Sequence, residues 1–177
     1  MRKSTFIKHL ESLEEEELRK ELMVVYERFK EVKAYYSMEL GGEKDREAIF
    51  EKAKKDIKSK YATRTFRRPR RPRVSKINKI LSDLEKVSIF KVEMADLHLY
   101  NCECALEFIL AYHYHSDPLH NTIVRSFRKG CQLIAASSSQ SDFLERCNEI
   151  IDRSFEVYEY LGYRVQKEYL DIIDTAK

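Results

Sequence analysis

The sequence predicts an all-α protein, either a single-domain multi-helix bundle or a short stack of helical hairpins, with about seven helices. Glycine and proline are scarce, with four and three in 177 residues, so few positions favour tight turns. Charged residues make up 36% of the chain, and its apolar residues recur at spacings of three and four. This combination is typical of amphipathic helices packed around one core.

The first predicted region, residues 1–61, contains the N-terminal helices. A short helix over 5–10 precedes a long second helix, which begins at a capping box formed by Ser12 and Glu15 and ends at Gly41-Gly42. A third helix covers about 45–61. The second helix carries an apolar stripe at spacings of 4-3-4-3-4, formed by Leu18, Leu22, Val25, Phe29, Val32 and Tyr36.

A basic linker rich in arginine and proline is predicted over residues 62–74. Pro69 and Pro72 are incompatible with a regular helix and favour extended neighbours. Between Asp56 and Asp83 there are ten basic residues and no acidic one, so residues 57–82 carry +10. Because the whole chain carries +3, the remaining residues carry −7. The charge is therefore concentrated in one segment.

The third predicted region, residues 75–177, is a C-terminal helical bundle. A helix from about 90 to 115 is apolar on nearly all sides, which places it at the centre of the fold. Its first residues, VSIFKVEM, also alternate as a strand would. Asp117-Pro118 begins the next helix, and Gly162 either stops or bends a later one before the final helix.

Several segments resemble a known family. They are IKHLESLEEEELRKELMVVYERFKEVKAYY, KINKILSDLEK, ADLHLYNCECALEFILAYH and a terminal helix pair divided at Gly162-Tyr163. Together they resemble a family of small, all-helical bacterial proteins, frequent in Bacteroidetes and known only as a domain of unknown function. The resemblance implies no activity. HYHSDP and RTFRRPRRPR depart from the family pattern, so the richness in arginine is expected to be particular to this chain.

The N-terminal segment, the hydropathy of the chain and the spacing of its cysteines together predict the cellular compartment. The N-terminus lacks the apolar segment of a secretory signal, and no run approaches the ~18 apolar residues that cross a bilayer. Cys102, Cys104, Cys131 and Cys147 do not have the spacing of a disulfide framework. We therefore expect reduced thiols, a cytoplasmic protein and no membrane partner.

A candidate polar face lies on the predicted central helix, where Asp96, Tyr100, Glu103 and Glu107 are spaced 4-3-4. These side chains either line a pocket or form the solvent-exposed stripe of a surface helix. The exposed stripe is favoured, because no nucleophile motif or glycine-rich phosphate loop accompanies them. No catalytic residue is assigned, and a non-catalytic protein is expected.

A candidate metal cluster, formed by His113, His115, Asp117 and His120, lies within eight residues. The histidine spacing suits a zinc site, but the required CxxC pair is missing, since Cys102 and Cys104 are only two apart. No metal and no cofactor are therefore predicted. Binding of a small molecule or a metal is kept as a lesser alternative.

The arginine segment is the strongest functional signal. A planar guanidinium suits bidentate phosphate contacts, two prolines keep the segment extended, and an aromatic ring can stack on a base. The sequence predicts a non-catalytic binding protein that contacts RNA or a ribonucleoprotein. The alternatives are a scaffold that binds an acidic protein and a solvated loop without a role. The predicted contact residues are Arg64, Phe66, Arg67, Arg68, Arg70, Arg71, Arg73, Lys76 and Lys79.

Overall fold

The computed structural model describes residues 2–63, 69–137 and 140–173, and at positions 140 and 173 it describes the backbone alone. Within these ranges the chain forms nine helices and no strand. The all-α prediction is confirmed, but about seven helices was too few. The helices are α1 (Lys3–Glu11), α2 (Glu15–Arg28), α3 (Lys30–Leu40), α4 (Glu43–Tyr61), α5 (Val74–Val87), α6 (Lys91–Tyr112), α7 (Asp117–Ala135), α8 (Gln140–Val157) and α9 (Glu159–Ile173).

The predicted long second helix is wrong, because the chain divides at Phe29 into α2 and α3. Phe29 has φ −110° and ψ 120°, an extended conformation that interrupts the helix. No glycine or proline marks the break, and the apolar periodicity continues across it. The start of α2 also differs from the prediction. Its capping box pairs Glu14 with Glu17, while the Ser12 hydroxyl donates to the carbonyl of His9 at the end of α1.

The central helix is α6, as its apolar composition predicts. It packs against α4, α5, α7 and α8 and buries residues on most of its sides. The strand alternative for VSIFKVEM is wrong, because residues 88–90 lead directly into α6 at Lys91. Leu99 shows how closely the next helix approaches, since a Cβ atom at Gly130 on α7 would lie 3.0 Å from its Cδ2.

The C-terminal helices cover the other side of this core. Helix α7 packs on both α6 and α9, and α8 packs on α9. Gly162 does not end a helix, because it lies inside α9, whereas α8 and α9 are separated at Tyr158. Gly162 is buried against the ring of Phe155, so α8 and α9 approach closely there.

A buried polar chain anchors the helix that leads into the basic linker. The hydroxyl of Tyr61, the last residue of α4, donates to Oδ1 of Asn101 on α6 at 2.8 Å. The amide of Asn101 in turn donates to Oγ of Ser126 on α7, also at 2.8 Å. These bonds join three helices in the interior. They fix the point at which the chain leaves the core and enters the linker.

Candidate nucleic-acid interface

The described ends of the basic linker, on either side of residues 64–68, lie close together. The backbone amide of Arg70 donates to Oγ1 of Thr63 at 3.1 Å, and that of Arg73 donates to the carbonyl of Lys60 at 3.3 Å. The chain therefore leaves the end of α4 and returns to the same place before α5 begins. Arg64, Phe66, Arg67 and Arg68, four of the predicted contact residues, lie outside the described residues.

The remaining predicted contact residues are cations at the base of this loop. Arg70, Arg71 and Lys76 are exposed, and Arg73 is half-buried. Among the carboxylates that the structure describes, none forms an ion pair with any of these four side chains. Lys79 is exposed and lies 3.9 Å from Asp83, at the limit of an ion pair. The positive charge at the loop base is therefore left without an acidic partner in the described chain.

A cleft of about 660 Å³ separates this loop base from the connection between α6 and α7. Helices α5 and α7 both begin at the cleft, and helix N-termini carry partial positive charge. The first turn of α5 holds no acidic residue, whereas that of α7 holds Asp117. The lining residues are Arg71, Pro72, Arg73, Val74, Ser75, Lys76, Tyr114, His115, Ser116, Pro118 and Leu119. Cationic side chains and backbone amides at such a place suit an anionic ligand.

The cleft continues as a seam between α5 and α7. A second cavity of about 210 Å³ follows it, lined by residues from the middle of both helices, and a third of about 350 Å³ lies near their ends. Both helices therefore run in the same direction along the seam. The 14 residues of α5 make it about 20 Å long. Polar and basic residues that line the two further cavities include Asn78, Ser82, Lys86, Lys91, Arg125, Ser126 and Lys129.

Sequence reasoning missed these seam residues. Arg125 and Lys129 are four apart on α7, on the side opposite its buried apolar residues, as on any surface helix. Their relevance depends on the neighbouring position of α5. The periodicity of a sequence does not show which helices lie side by side. No local pattern could therefore have identified Arg125 and Lys129 as interface residues.

One carboxylate, that of Glu85, lies among the described residues that line the three cavities. Its Oε1 is 3.0 Å from Nε2 of His98 and 3.7 Å from Nζ of Lys129. Burial lowers the pKa of His98 more than the nearby carboxylate raises it. His98 is thus neutral at neutral pH, and its Nδ1 has no hydrogen-bond partner in the described part of the molecule. Because His98 is neutral, Glu85 keeps its negative charge, and its ion pair with Lys129 offsets part of the positive charge along the seam.

Two carboxylates on the polar face of α6, Asp96 and Glu103, are engaged by cations from neighbouring helices. Arg146 of α8 donates hydrogen bonds to Asp96 and to Glu103, the latter through Nη2 at 3.1 Å. Nζ of Lys54 on α4 lies 2.8 Å from Asp96. Burial alone would raise the pKa of Asp96, but hydrogen bonds from Lys54 and Arg146 hold it below its usual value. The carboxylates therefore join α4, α6 and α8, while Glu107 stays exposed.

The histidines of the candidate metal cluster form only a pair. Nδ1 of His115 lies 3.3 Å from Nε2 of His120, whose ring stacks on Tyr158 with centroids 5.9 Å apart. His113 ends α6 in a left-handed conformation at φ 49°. Within the described ranges there is no group of three or more histidine, cysteine, aspartate or glutamate residues placed to hold a metal ion.

All four cysteines are buried free thiols, and none of them forms a disulfide. Burial raises the pKa of Cys104 to about 11, and it also raises the pKa of Cys102. The Cys102 and Cys104 thiols are therefore poor nucleophiles, because the reactive thiolate is disfavoured.

None of the helices in the described ranges has both the length and the apolarity that a membrane crossing requires.

Comparison with known proteins identifies a family but no characterised relative. Neither the curated proteins nor the solved structures contain a match to this chain. The model of a family of unknown function, DUF6155, matches residues 1–175. The chain therefore belongs to this family, and the resemblance drawn from its helical segments is confirmed. Its bacterial origin stays a prediction.

Proposed function

We propose that the protein is a non-catalytic, cytoplasmic helical binding protein that contacts RNA, alone or within a ribonucleoprotein, through the basic linker and the seam between α5 and α7. The observation that carries the proposal is the base of the linker. There Arg71, Arg73 and Lys76 line a cleft, and neither they nor the neighbouring Arg70 form an ion pair with a carboxylate among the described residues. Cations without an ion-paired carboxylate remain available for charge-assisted hydrogen bonds to phosphate.

The ligand must be longer than a single phosphate group. The cleft and the two further cavities follow one another along about 20 Å of α5. A nucleic-acid strand presents phosphates at about 3.4 Å intervals in a duplex, so roughly six would lie along this distance. Basic residues recur at the beginning, middle and end of the seam, which suits a repeating polyanion better than one small anion.

The charge of the rest of the molecule supports a single binding orientation. Residues 57–82 carry +10, and the other residues together carry −7. A polyanion is attracted to the first region and repelled by the second. Arg125 and Lys129 extend the attractive region onto α7. RNA would therefore lie along one face of the bundle, with the linker at one end of the path.

RNA is favoured over duplex DNA by the character of the linker. Arginine alone supplies the charge between Arg64 and Arg73, and Phe66 adds an aromatic ring within the same segment. Arginine-rich segments that bind RNA combine guanidinium contacts to phosphate with stacking on unpaired bases.

The proposal is tested by titrating labelled RNA with the protein and following fluorescence anisotropy. The triple variant R70Q/R71Q/R73Q and the seam variant R125Q/K129Q should each weaken binding. A matched control, K20Q/K30Q/K52Q, removes three exposed cations elsewhere and should bind as the wild type does. Equal affinity of all four proteins for RNA would refute the proposal. Nuclease-resistant capture of an acidic protein that requires the same arginines would select the protein-binding alternative instead.

A further inference from the structure

Glu85 on α5 is an acidic residue placed between two basic parts of the seam. It lines both of the cavities that follow the cleft, as does Lys129 of α7. Arg125 lines the first of these cavities and Lys91 lines the second, and neither forms an ion pair with a described carboxylate. A carboxylate at this position repels a phosphate group. Glu85 therefore suits a different part of the ligand.

The carboxylate of Glu85 is held in place by a buried histidine. Nε2 of His98 lies 3.0 Å from Oε1 of Glu85, and His98 is only 4% exposed. Burial lowers the pKa of His98, so its ring is neutral at neutral pH. Because a carboxylate only accepts hydrogen bonds, the single ring proton lies on Nε2. Glu85 is therefore an anion with a fixed orientation.

Two hydrogen-bond acceptors stay unpaired at this point of the seam. The bond from His98 reaches Oε1 of Glu85, whereas Oε2 accepts no hydrogen bond from the described residues. Nδ1 of His98, which carries no proton in this tautomer, is buried and also lacks a partner in the described chain. Both residues line the same cavity of about 210 Å³. A ligand that suits this cavity brings a hydrogen-bond donor.

The wall of the same cavity also holds donors. Nζ of Lys129 is 3.7 Å from Oε1 of Glu85, which is longer than a hydrogen bond, so the ammonium group keeps donors for a ligand. The exposed side chains of Asn78 and Ser82 add an amide and a hydroxyl. A hydroxyl group both donates and accepts, so it can bridge Glu85 and Lys129. A phosphate oxygen only accepts and cannot do so.

The sugar of RNA supplies a hydroxyl group at the required place. Along a nucleic-acid strand each sugar lies between two successive phosphates, just as Glu85 lies between the cavities of Arg125 and Lys91. The ribose 2′-hydroxyl both donates and accepts, and it is the group by which proteins distinguish RNA from DNA. Carboxylates accept hydrogen bonds from ribose hydroxyls in dinucleotide-binding sites.

We propose that Glu85 binds the 2′-hydroxyl of one ribose, and that the seam thereby selects RNA over DNA. The hydroxyl donates to Oε2 of Glu85 and accepts from Lys129. The phosphates on the two sides of this sugar lie near Arg125 and Lys91. This selectivity rests on the proposed binding of RNA along the seam, and it names the group that the seam recognises.

Oligonucleotides of one sequence but different sugars provide the test. Labelled single strands of RNA, 2′-fluoro RNA and DNA are titrated with the wild-type protein, and fluorescence anisotropy is followed. Fluorine keeps the sugar pucker of RNA but cannot donate, so the 2′-fluoro strand should bind at least about fivefold more weakly than RNA. Cytosine carries an amino group that uracil lacks, so strands of cytidine and of uridine separate sugar from base. Both should lose the same factor when fluorinated.

Glu85→Gln removes the free acceptor with little change in shape. The amide oxygen can still accept from His98, whereas the amide nitrogen that replaces Oε2 only donates. This variant should lose the preference for RNA over 2′-fluoro RNA. Asp83→Asn is the matched control, because it removes an equal charge from an exposed residue of α5 outside the three cavities. It should keep the preference.

Each failure has a separate signature. A wild type that binds RNA and 2′-fluoro RNA equally would overturn the role of the 2′-hydroxyl while leaving RNA binding intact. A preference that survives Glu85→Gln would also overturn it, as would one that follows the base rather than the sugar. Absence of any RNA binding would refute the proposed function itself, and the selectivity with it. Circular dichroism verifies that both variants keep their helix content.

Discussion

The hydroxyl of Tyr61 donates a 2.8 Å hydrogen bond to the side-chain oxygen of Asn101, forty residues away in the chain. Tyr61 ends α4 and is buried, and the burial raises its pKa, so the hydroxyl keeps its proton and remains a donor. Asn101 is fully buried and passes the connection to Ser126 on α7. The start of the basic linker is thus tied to the centre of the fold by a polar contact in the core.

Tyr61→Phe removes this donor and leaves the Asn101 oxygen buried without it. Loss of one partner of a buried hydrogen bond costs about 1–3 kcal/mol, so the free energy of unfolding should fall by that amount. Urea denaturation of the variant measures it. Tyr160→Phe, at an exposed position on α9, is the control and should leave stability unchanged. Equal stability of both variants would mean that the Tyr61 bond contributes nothing.

Arg146→Met should destabilise the fold because it leaves Asp96 and Glu103 without their shared cation. Burial would lower the pKa of Arg146, but its hydrogen bonds to the two carboxylates raise it. The ion pairs are half-buried, so we expect a loss of about 1–3 kcal/mol, between the values for surface and interior pairs. Arg19→Met breaks an exposed pair with Glu15 and should change stability little. Thermal unfolding of the two variants compares them directly.

Protonation of His98 should destabilise the protein in mild acid. Burial lowers its pKa from 6.5 in the folded state, although Glu85 on α5 opposes this effect and Lys129 on α7 adds to it. The unfolded state therefore binds the proton more readily, and stability is lost as the pH falls below about 6.5. The slope is at most about 1.4 kcal/mol per pH unit.

His98→Gln should flatten this pH dependence, because glutamine does not titrate and its amide can still donate to Glu85. Chemical denaturation at a series of pH values provides the comparison. The pKa of His120 is also lowered, first by burial and then by His115, so some slope should remain. His120→Gln separates that contribution. An unchanged slope in His98→Gln would show that the buried histidine is not the titrating group.

Gly162→Ala should destabilise the protein even though alanine is the better helix former. In an open helix the substitution would stabilise by about 1 kcal/mol. Here a Cβ atom would overlap the ring of Phe155, so the expected change is a loss of about 1–3 kcal/mol. The double variant G162A/F155L should recover part of the loss because leucine can move aside. A more stable Gly162→Ala would contradict the close approach of α8 and α9.

Salt dependence of RNA affinity should report how many phosphates the protein contacts. Contact by the six arginines of residues 64–73 contributes about −4 for single strands and about −5 for a duplex to the slope of log affinity against log salt, and contacts along the seam make the slope steeper. The seam variant R125Q/K129Q should reduce the size of the slope by about 1–2. A slope near zero would contradict binding through phosphates.

The helices that bury one face could be predicted from the sequence because their periodicity records that burial. Ile57, Ile77 and Phe127 each belong to an apolar stripe with helical spacing in their own helix, and each is buried in the core. The apolar character of α6 on most sides likewise predicted its central position, and the structure confirms it. These features are local consequences of composition and spacing, so no knowledge of the neighbours was needed.

Other features depended on contacts between distant residues. The stripe through Leu18, Leu22 and Phe29 predicted one buried helix, but the chain breaks at Phe29 and leaves these side chains exposed. Asp96 and Glu103 were expected to face solvent, and Arg146, more than forty residues away, engages both. A pattern of residue types specifies which face of a helix is apolar or charged. It does not specify which partner meets that face.

The all-α class, the central helix and the concentration of positive charge in one proline-containing linker could all be predicted from the residues alone. Each of these follows from residue type and spacing over a few turns. The side-by-side placement of α5 and α7, which extends that charge, and the exposure of α1 and α2, which bury no residue against the described chain, became visible only in the folded molecule. The physical reason is that packing brings together side chains from distant positions, whereas periodicity reports on one helix at a time.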